Sequence, residues 1–218
     1  MLFLKTLLTT CLDHGHHSED THAQVYGSEQ WFPSSGRIQG VVRISCNAEV
    51  MNRWGVELYG DPCRECAFAW HSGTDELVQR VAHFSEEMDR LLANASGTER
   101  VDHLEWNISA YVSHVADNLR IWAERIVSTV RGANSHVHSY DENVLAQARR
   151  YNDIALSGAL WSLQQSCRMW LEAVTESRNK NISLHHPVRG ILELDDVIRA
   201  NVHDAVHHRW DVEAIVRS

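Results

Sequence analysis

From Thr74 onward, apolar residues return every three or four positions, the period of a helix with one buried face. Leu77, Val81, Phe84, Met88 and Leu91 form the first such stripe. Thr74-Asp-Glu76, a capping residue followed by early acids, opens it, and Ser96-Gly97-Thr98 closes it. A second stripe, Ile108, Tyr111/Val112, Val115, Leu119, Trp122 and Ile126, predicts a helix from about Glu105 to Val130. Gly132 to Asp141 reads as loop. A third helix is expected from Glu142 to Ser177, with Val144, Tyr151, Ala155, Leu163, Trp170 and Val174 inward and a bend at Gly158. Asn179 to Gly190 contains Pro187 and reads as loop. The fourth helix starts near Asp195 or Asp196 and runs to the end of the sequence. Trp106, Trp122, Trp161 and Trp170 fall within these helices as core candidates.

Four amphipathic helices with no convincing strand between them predict an all-α four-helix bundle over residues 74–218. The connections from the second helix to the third and from the third to the fourth are long for an up-down bundle, which suggests a crossover topology. Residues 1–73 read as an extension carrying a Cys-x-x-Cys segment. Its first 50 residues are polar and His-rich, with weak periodicity and one short strand expected from Ile38 to Ser45. A start codon misassigned ahead of Met51 would produce the same look.

Charge narrows the function classes. The 218 residues carry a formal net charge of −9, which argues against nucleic acid as the main partner, because phosphate binding needs a cationic face. No run approaches the roughly 18 apolar residues of a membrane span. The opening Met1–Cys11 faintly resembles a signal peptide, but Lys5 interrupts the apolar stretch and no small-x-small cleavage pattern follows, so a cytoplasmic protein is expected. Five cysteines, an odd number without a disulfide-framework spacing, fit a reducing compartment. Histidine is the outlier, with 15 residues, many of them clustered.

The densest cluster is His203-Asp-Ala-Val-His207-His208-Arg-Trp-Asp211. On a helical wheel Val197, Asn201, Ala205, His208, Val212 and Ile215 form the core-facing stripe, with Asp204 and Asp211 one turn to either side of His208. Asp204 and His208, four apart, share a face and could grip one divalent metal. His203 and His207 have the same spacing but fall on a more solvent-like flank. His114, at the edge of the second helix's buried stripe, supplies a third donor. Three donors would leave a coordination position open, as catalytic metal sites require. An inward His held by a hydrogen bond, or an Asp/His pair on a solvated face, is the plainer alternative.

Tyr111-Val-Ser-His114-Val-Ala-Asp-Asn118 and Asp204-Ala-Val-His207-His208-Arg-Trp-Asp211 resemble the helices that carry the metal site in the DinB/YfiT superfamily of four-helix bundles, which includes mycothiol-dependent maleylpyruvate isomerase. Pro187-Val-Arg-Gly190 followed by Leu194-Asp-Asp196 resembles the lead-in to that family's last helix. The resemblance covers roughly residues 74–218. It implies one divalent metal (zinc, nickel, iron or manganese) on His114, Asp204 and His208. One position departs from the pattern: Asp204 stands where the family carries His or Glu, and the shorter arm leaves His203 or His207 as substitutes. The resemblance also implies a low-molecular-weight thiol, mycothiol or bacillithiol, held as thiolate by the metal and added or transferred to a small electrophile. Asp211 would then orient a ligand, and Arg209 or Arg120 could meet an anionic substrate group.

The remaining motif is Cys63-Arg-Glu-Cys66, after an Asp-Pro turn. Its spacing is that of half a structural zinc site, with Cys46, His71 or the His14/His16/His17 cluster to complete it, or of two free packing thiols. Nucleophilic-serine motifs, phosphate loops and dinucleotide fingerprints are absent from the sequence. The expected function is a metal-dependent thiol transferase or isomerase acting on a small molecule. The alternatives are a non-catalytic metal-binding or interaction bundle, dimeric through an exposed helix face, and a metal-dependent hydrolase using bound water.

Overall fold

The structure, a computed structural model, describes residues 54–218; the expected strand at Ile38–Ser45, the His14/His16/His17 cluster and Cys46 lie outside the described residues. Among the described residues the elements run α1 (Val56–Tyr59), α2 (Thr74–Leu91), α3 (Ile108–Val130), α4 (Glu142–Arg149), a 3₁₀ turn (Tyr151–Asp153), α5 (Leu156–Ser177), β1 (Ser183–His186), β2 (Gly190–Glu193) and α6 (Leu194–Arg217). The four long helices α2, α3, α5 and α6 form the bundle. α3 packs against α5 and α6, and α2 packs against the same two helices. The order around the bundle is therefore α2, α5, α3, α6, and the consecutive helices α2 and α3 stand diagonally opposed. Residues 92–107, between α2 and α3, therefore cross an end of the bundle; the crossover lies in this first connection and not in the two later loops from which it was expected.

Local chemistry sets the helix starts. Asn107 caps α3, accepting from the Ala110 amide at 2.9 Å. Glu193 and Asp196 form a reciprocal capping box at the start of α6. Thr74 is the first residue of α2 rather than its cap; Gly73 occupies the cap position without a side-chain bond. The core is built from the expected stripes. Leu77, Ile108, Leu119, Ile126, Leu163, Trp170 and Val197 are fully buried, and the Trp170 indole donates to Asn201 Oδ1 at 2.8 Å, tying α5 to α6.

The third expected helix is broken, and not at Gly158. Arg150 takes a left-handed conformation (φ 53°), ends α4, and leads into the 3₁₀ turn. The cause is Asp117 on α3, a buried carboxylate that receives Arg149 and the Tyr151 hydroxyl, which pulls the chain inward. The break resets the helical phase, so Val144 and Ala155 face solvent instead of the core. Trp161 is also exposed, at 64%. Gly158 lies inside α5, where an added Cβ would make only an ordinary contact with Ile154 Cγ2 at 3.9 Å.

The expected loop before the last helix is an antiparallel hairpin, pairing Ser183 with Glu193 and His186 with Gly190. His186 organises its turn. The buried ring accepts the Val188 and Arg189 amides at Nδ1, both at 3.2 Å. Those bonds need a deprotonated Nδ1. Burial, then the cations Arg189 and Arg125, push its pKa down from 6.5 to about 4.

Gly97 lies between α2 and α3 at φ +92°, and a Cβ there would stand 2.3 Å from Ser109 Oγ and 2.7 Å from Leu156 Cβ. Gly97→Ala should cost about 2–4 kcal/mol, the sum of backbone strain and overpacking, measured as a drop in denaturant midpoint. A depressed His186 pKa stabilises the fold above pH 6.5, and that stability is lost as the pH falls toward about 4. The difference in unfolding free energy between wild type and His186→Asn should therefore shrink across that window, and a constant difference would remove His186 from the account.

Candidate metal centre

The two long helices that face each other across the cleft, α3 and α6, carry the three expected donors. His114 Nε2 lies 3.4 Å from Asp204 Oδ1, and His208 Nε2 lies 3.7 Å from the same oxygen. Three donor atoms thus converge from two helices, all within 4.8 Å of one another. The second separation is long for a hydrogen bond. It suits donors around one ion instead: atoms each about 2.0–2.2 Å from a tetrahedral metal stand roughly 3.3–3.6 Å apart. The donor set, two imidazoles and a carboxylate, fits a divalent ion.

Each donor is held from behind. Asn118 Nδ2 donates to Asp204 Oδ2 at 2.7 Å, leaving Oδ1 to the imidazoles, and Tyr140 donates its hydroxyl proton to Asn118 Oδ1 at 3.2 Å. Asp211 Oδ2 stands 2.9 Å from His208 Nδ1. With the Nδ1 proton on that bond, the Nε2 lone pair points toward Asp204. Trp106 backs both rings, with centroids 5.2 Å from His114 and 6.3 Å from His208. Electrostatics couples the pair. Burial works to raise the Asp204 carboxyl, yet His114, His208 and the Asn118 bond outweigh it and hold it well below the usual carboxylate range. Burial works to lower the His114 imidazole, and Asp204 outweighs it and raises it.

The donors form the floor of a cleft of about 480 Å³. Two arginines line its wall, together with the carboxylates Glu105 and Glu142. Arg125 stacks over Trp122 at 4.5 Å, and Arg189, from the hairpin turn, lies 6.0 Å from the same ring. Neither of the arginines expected to meet substrate lines this cleft. Arg120 is spent on Asp117 and Glu124, at 3.2 and 2.7 Å, and Arg209 on Glu87 and Glu213, at 3.7 and 3.1 Å. Arg125 carried a readable signal, a cation between Trp122 and Ile126 on the buried stripe of α3. Arg189 had none, because its segment read as loop.

The flank histidines are not solvent-like. His203 is 4% exposed, and its Nε2 is buried with no hydrogen-bond partner. His203 and His207 lie against residues 54–73, which pack on α6, and they meet Cys63 and Cys66 there. His71, one of the expected completions of the Cys pair, is exposed and pairs with Asp61 at 3.0 Å instead. The sequence contained the pattern that joins these four residues, Cys-x-x-Cys and His-x-x-x-His, but split across most of the chain.

No family model matches this chain, and no curated protein does. Among solved structures, YfiT from Bacillus subtilis matches with a TM-score of 0.58 and 16% identity, over 66% of this chain and 86% of its own. YfiT is described as "a probable metal-dependent hydrolase with an unusual four-helix bundle topology". At that identity the likeness speaks to architecture alone. The chain has the fold of the DinB/YfiT-like four-helix bundles.

Proposed function

We propose that this protein is a metal-dependent enzyme that activates a small nucleophile against a small substrate bearing an anionic group, with His114, Asp204 and His208 as metal ligands. The observation that carries the reading is the convergence of two imidazole Nε2 atoms on one carboxylate oxygen at the floor of a cleft. Bound there, a divalent ion supplies Lewis acidity and lowers the pKa of a water or thiol at its open position. The protein's own groups do the rest. Asp211 fixes the His208 tautomer, and Asn118 fixes the Asp204 carboxylate. Arg125 and Arg189 hold the substrate's anionic end, with Trp122 as a flat support. Burial, then the nearby Asp204 charge, pushes the Tyr140 phenol up, so it stays a proton donor near the reacting centre.

Water is the nucleophile that the donor set favours, because two His and one carboxylate is a recurrent ligand set of zinc hydrolases. YfiT, with the same fold, is described as a probable metal-dependent hydrolase. A low-molecular-weight thiol of the mycothiol or bacillithiol type is the second reading. The cleft's volume, about 480 Å³, lies in the range that holds a small-molecule thiol.

His208→Ala should remove one metal equivalent per chain and abolish turnover; full metal retention would overturn the assignment. Turnover of small carboxylate-bearing esters without added thiol would establish hydrolysis, whereas turnover of electrophiles only with added thiol would establish transfer. Arg125→Ala should raise KM about tenfold, roughly 1.4 kcal/mol of lost binding, with kcat nearly unchanged. A fall in kcat at constant KM would move Arg125 from binding to the chemical step.

A further inference from the structure

We infer that Cys63, Cys66, His203 and His207 form a second metal site, a closed structural zinc site separate from the cleft-floor donors. Their ligand atoms all lie within 4.8 Å of one another. Cys63 Sγ stands 3.8 Å from His207 Nδ1. A tetrahedral zinc with bonds of about 2.3 Å to sulfur and 2.0–2.1 Å to nitrogen spaces such a pair by roughly 3.6 Å. Two thiols and two imidazoles are a common structural zinc set, and four protein ligands leave no open position.

Independent features of the surroundings point to a ligand. His203 is almost wholly buried, yet its Nε2 has no partner, which is rare for a buried polar nitrogen. The ring is packed between Tyr59 and Trp70, each with its centroid 4.5 Å away, so the imidazole cannot swing out to water. His207 has the outer partner that metal-bound histidines use: Glu65 Oε2 stands 3.1 Å from Nε2, leaving Nδ1 turned toward Cys63. The Cys-x-x-Cys turn is itself shaped. The Cys63 amide donates to Phe68 O at 2.8 Å and the Ala67 amide to Cys63 O at 2.9 Å, with Ala67 at φ 57°. Arg199 on α6 donates to Trp70 O at 3.0 Å, joining the same segment to the same helix. Zinc here would pin residues 54–73 to α6 one helical step from the proposed catalytic ligands.

Loading the full chain with cobalt under reducing conditions, with thiolate-to-cobalt charge-transfer absorption and metal content as readouts, tests the site apart from any enzyme activity. Wild type should bind two equivalents and show the charge-transfer band. His208→Ala should keep the band and lose one equivalent. Cys63→Ser should lose the band and one equivalent while the cleft-floor metal remains. Should Cys63→Ser fail to fold, X-ray absorption of zinc-loaded His208→Ala decides instead: two sulfurs near 2.3 Å support the site, and a shell of nitrogen and oxygen alone overturns it. A wild type without the band, or a band that survives Cys63→Ser, also overturns it. Loss of metal from the cleft floor alone would count against the proposed function and leave this site standing.

Discussion

Asp204 is the constraint around which the bundle's interior is arranged. A carboxylate turned inward from a helix is costly unless charge and hydrogen bonds surround it. Here α3 supplies both, through His114 and Asn118, and α6 adds His208 one turn on. That demand fixes the register of α3 against α6. It also draws Tyr140 inward through Asn118, which positions the loop ahead of α4. A second inward carboxylate, Asp117, sits beside Asn118 on α3; Arg149 at the end of α4 and Arg120 on α3 neutralise it, and the Tyr151 hydroxyl donates to it from the α4–α5 connection. Adjacent residues on one helix thus anchor different neighbours, because consecutive side chains on a helix diverge by about 100°.

The two inward carboxylates also explain what the sequence did and did not reveal. Periodicity located all four long helices, because each buries a continuous stripe. It could not find the break at Arg150, since Arg149 and Tyr151 obey Asp117, a partner far away in the chain. The hairpin escaped notice for a similar reason. Four-residue strands have no periodicity to read, and His186, which closes the turn, looks like any other member of a His-rich chain.

The site was legible in the same uneven way. His114, Asp204 and His208 could be chosen from helical phase and from two short motifs, and the fold brings them together. His203 was misjudged because a wheel describes one helix and knows nothing of a segment laid over it. Residues 54–73 cover what would otherwise be the exposed flank of α6, and that covering segment carries the aromatic and sulfur-bearing residues that face His203. Arg120 and Arg209 were misjudged for the opposite reason. Surface acids on their own helices and on α2 claim them first.

The run His203–His208 has a bearing on how the molecule is made. Cys63 must wait for His207, 144 residues later in the chain, and His114 must wait for Asp204, 90 residues later. Both donor clusters draw half or more of their members from α6, which follows every other described element in the chain. A nascent chain therefore exposes its thiols and His114 as isolated groups, unable to assemble either cluster, until α6 has emerged and docked. Any metal taken up by these clusters would be acquired only once α6 has docked, so uptake would report on assembly of the clusters rather than guide the early steps of folding.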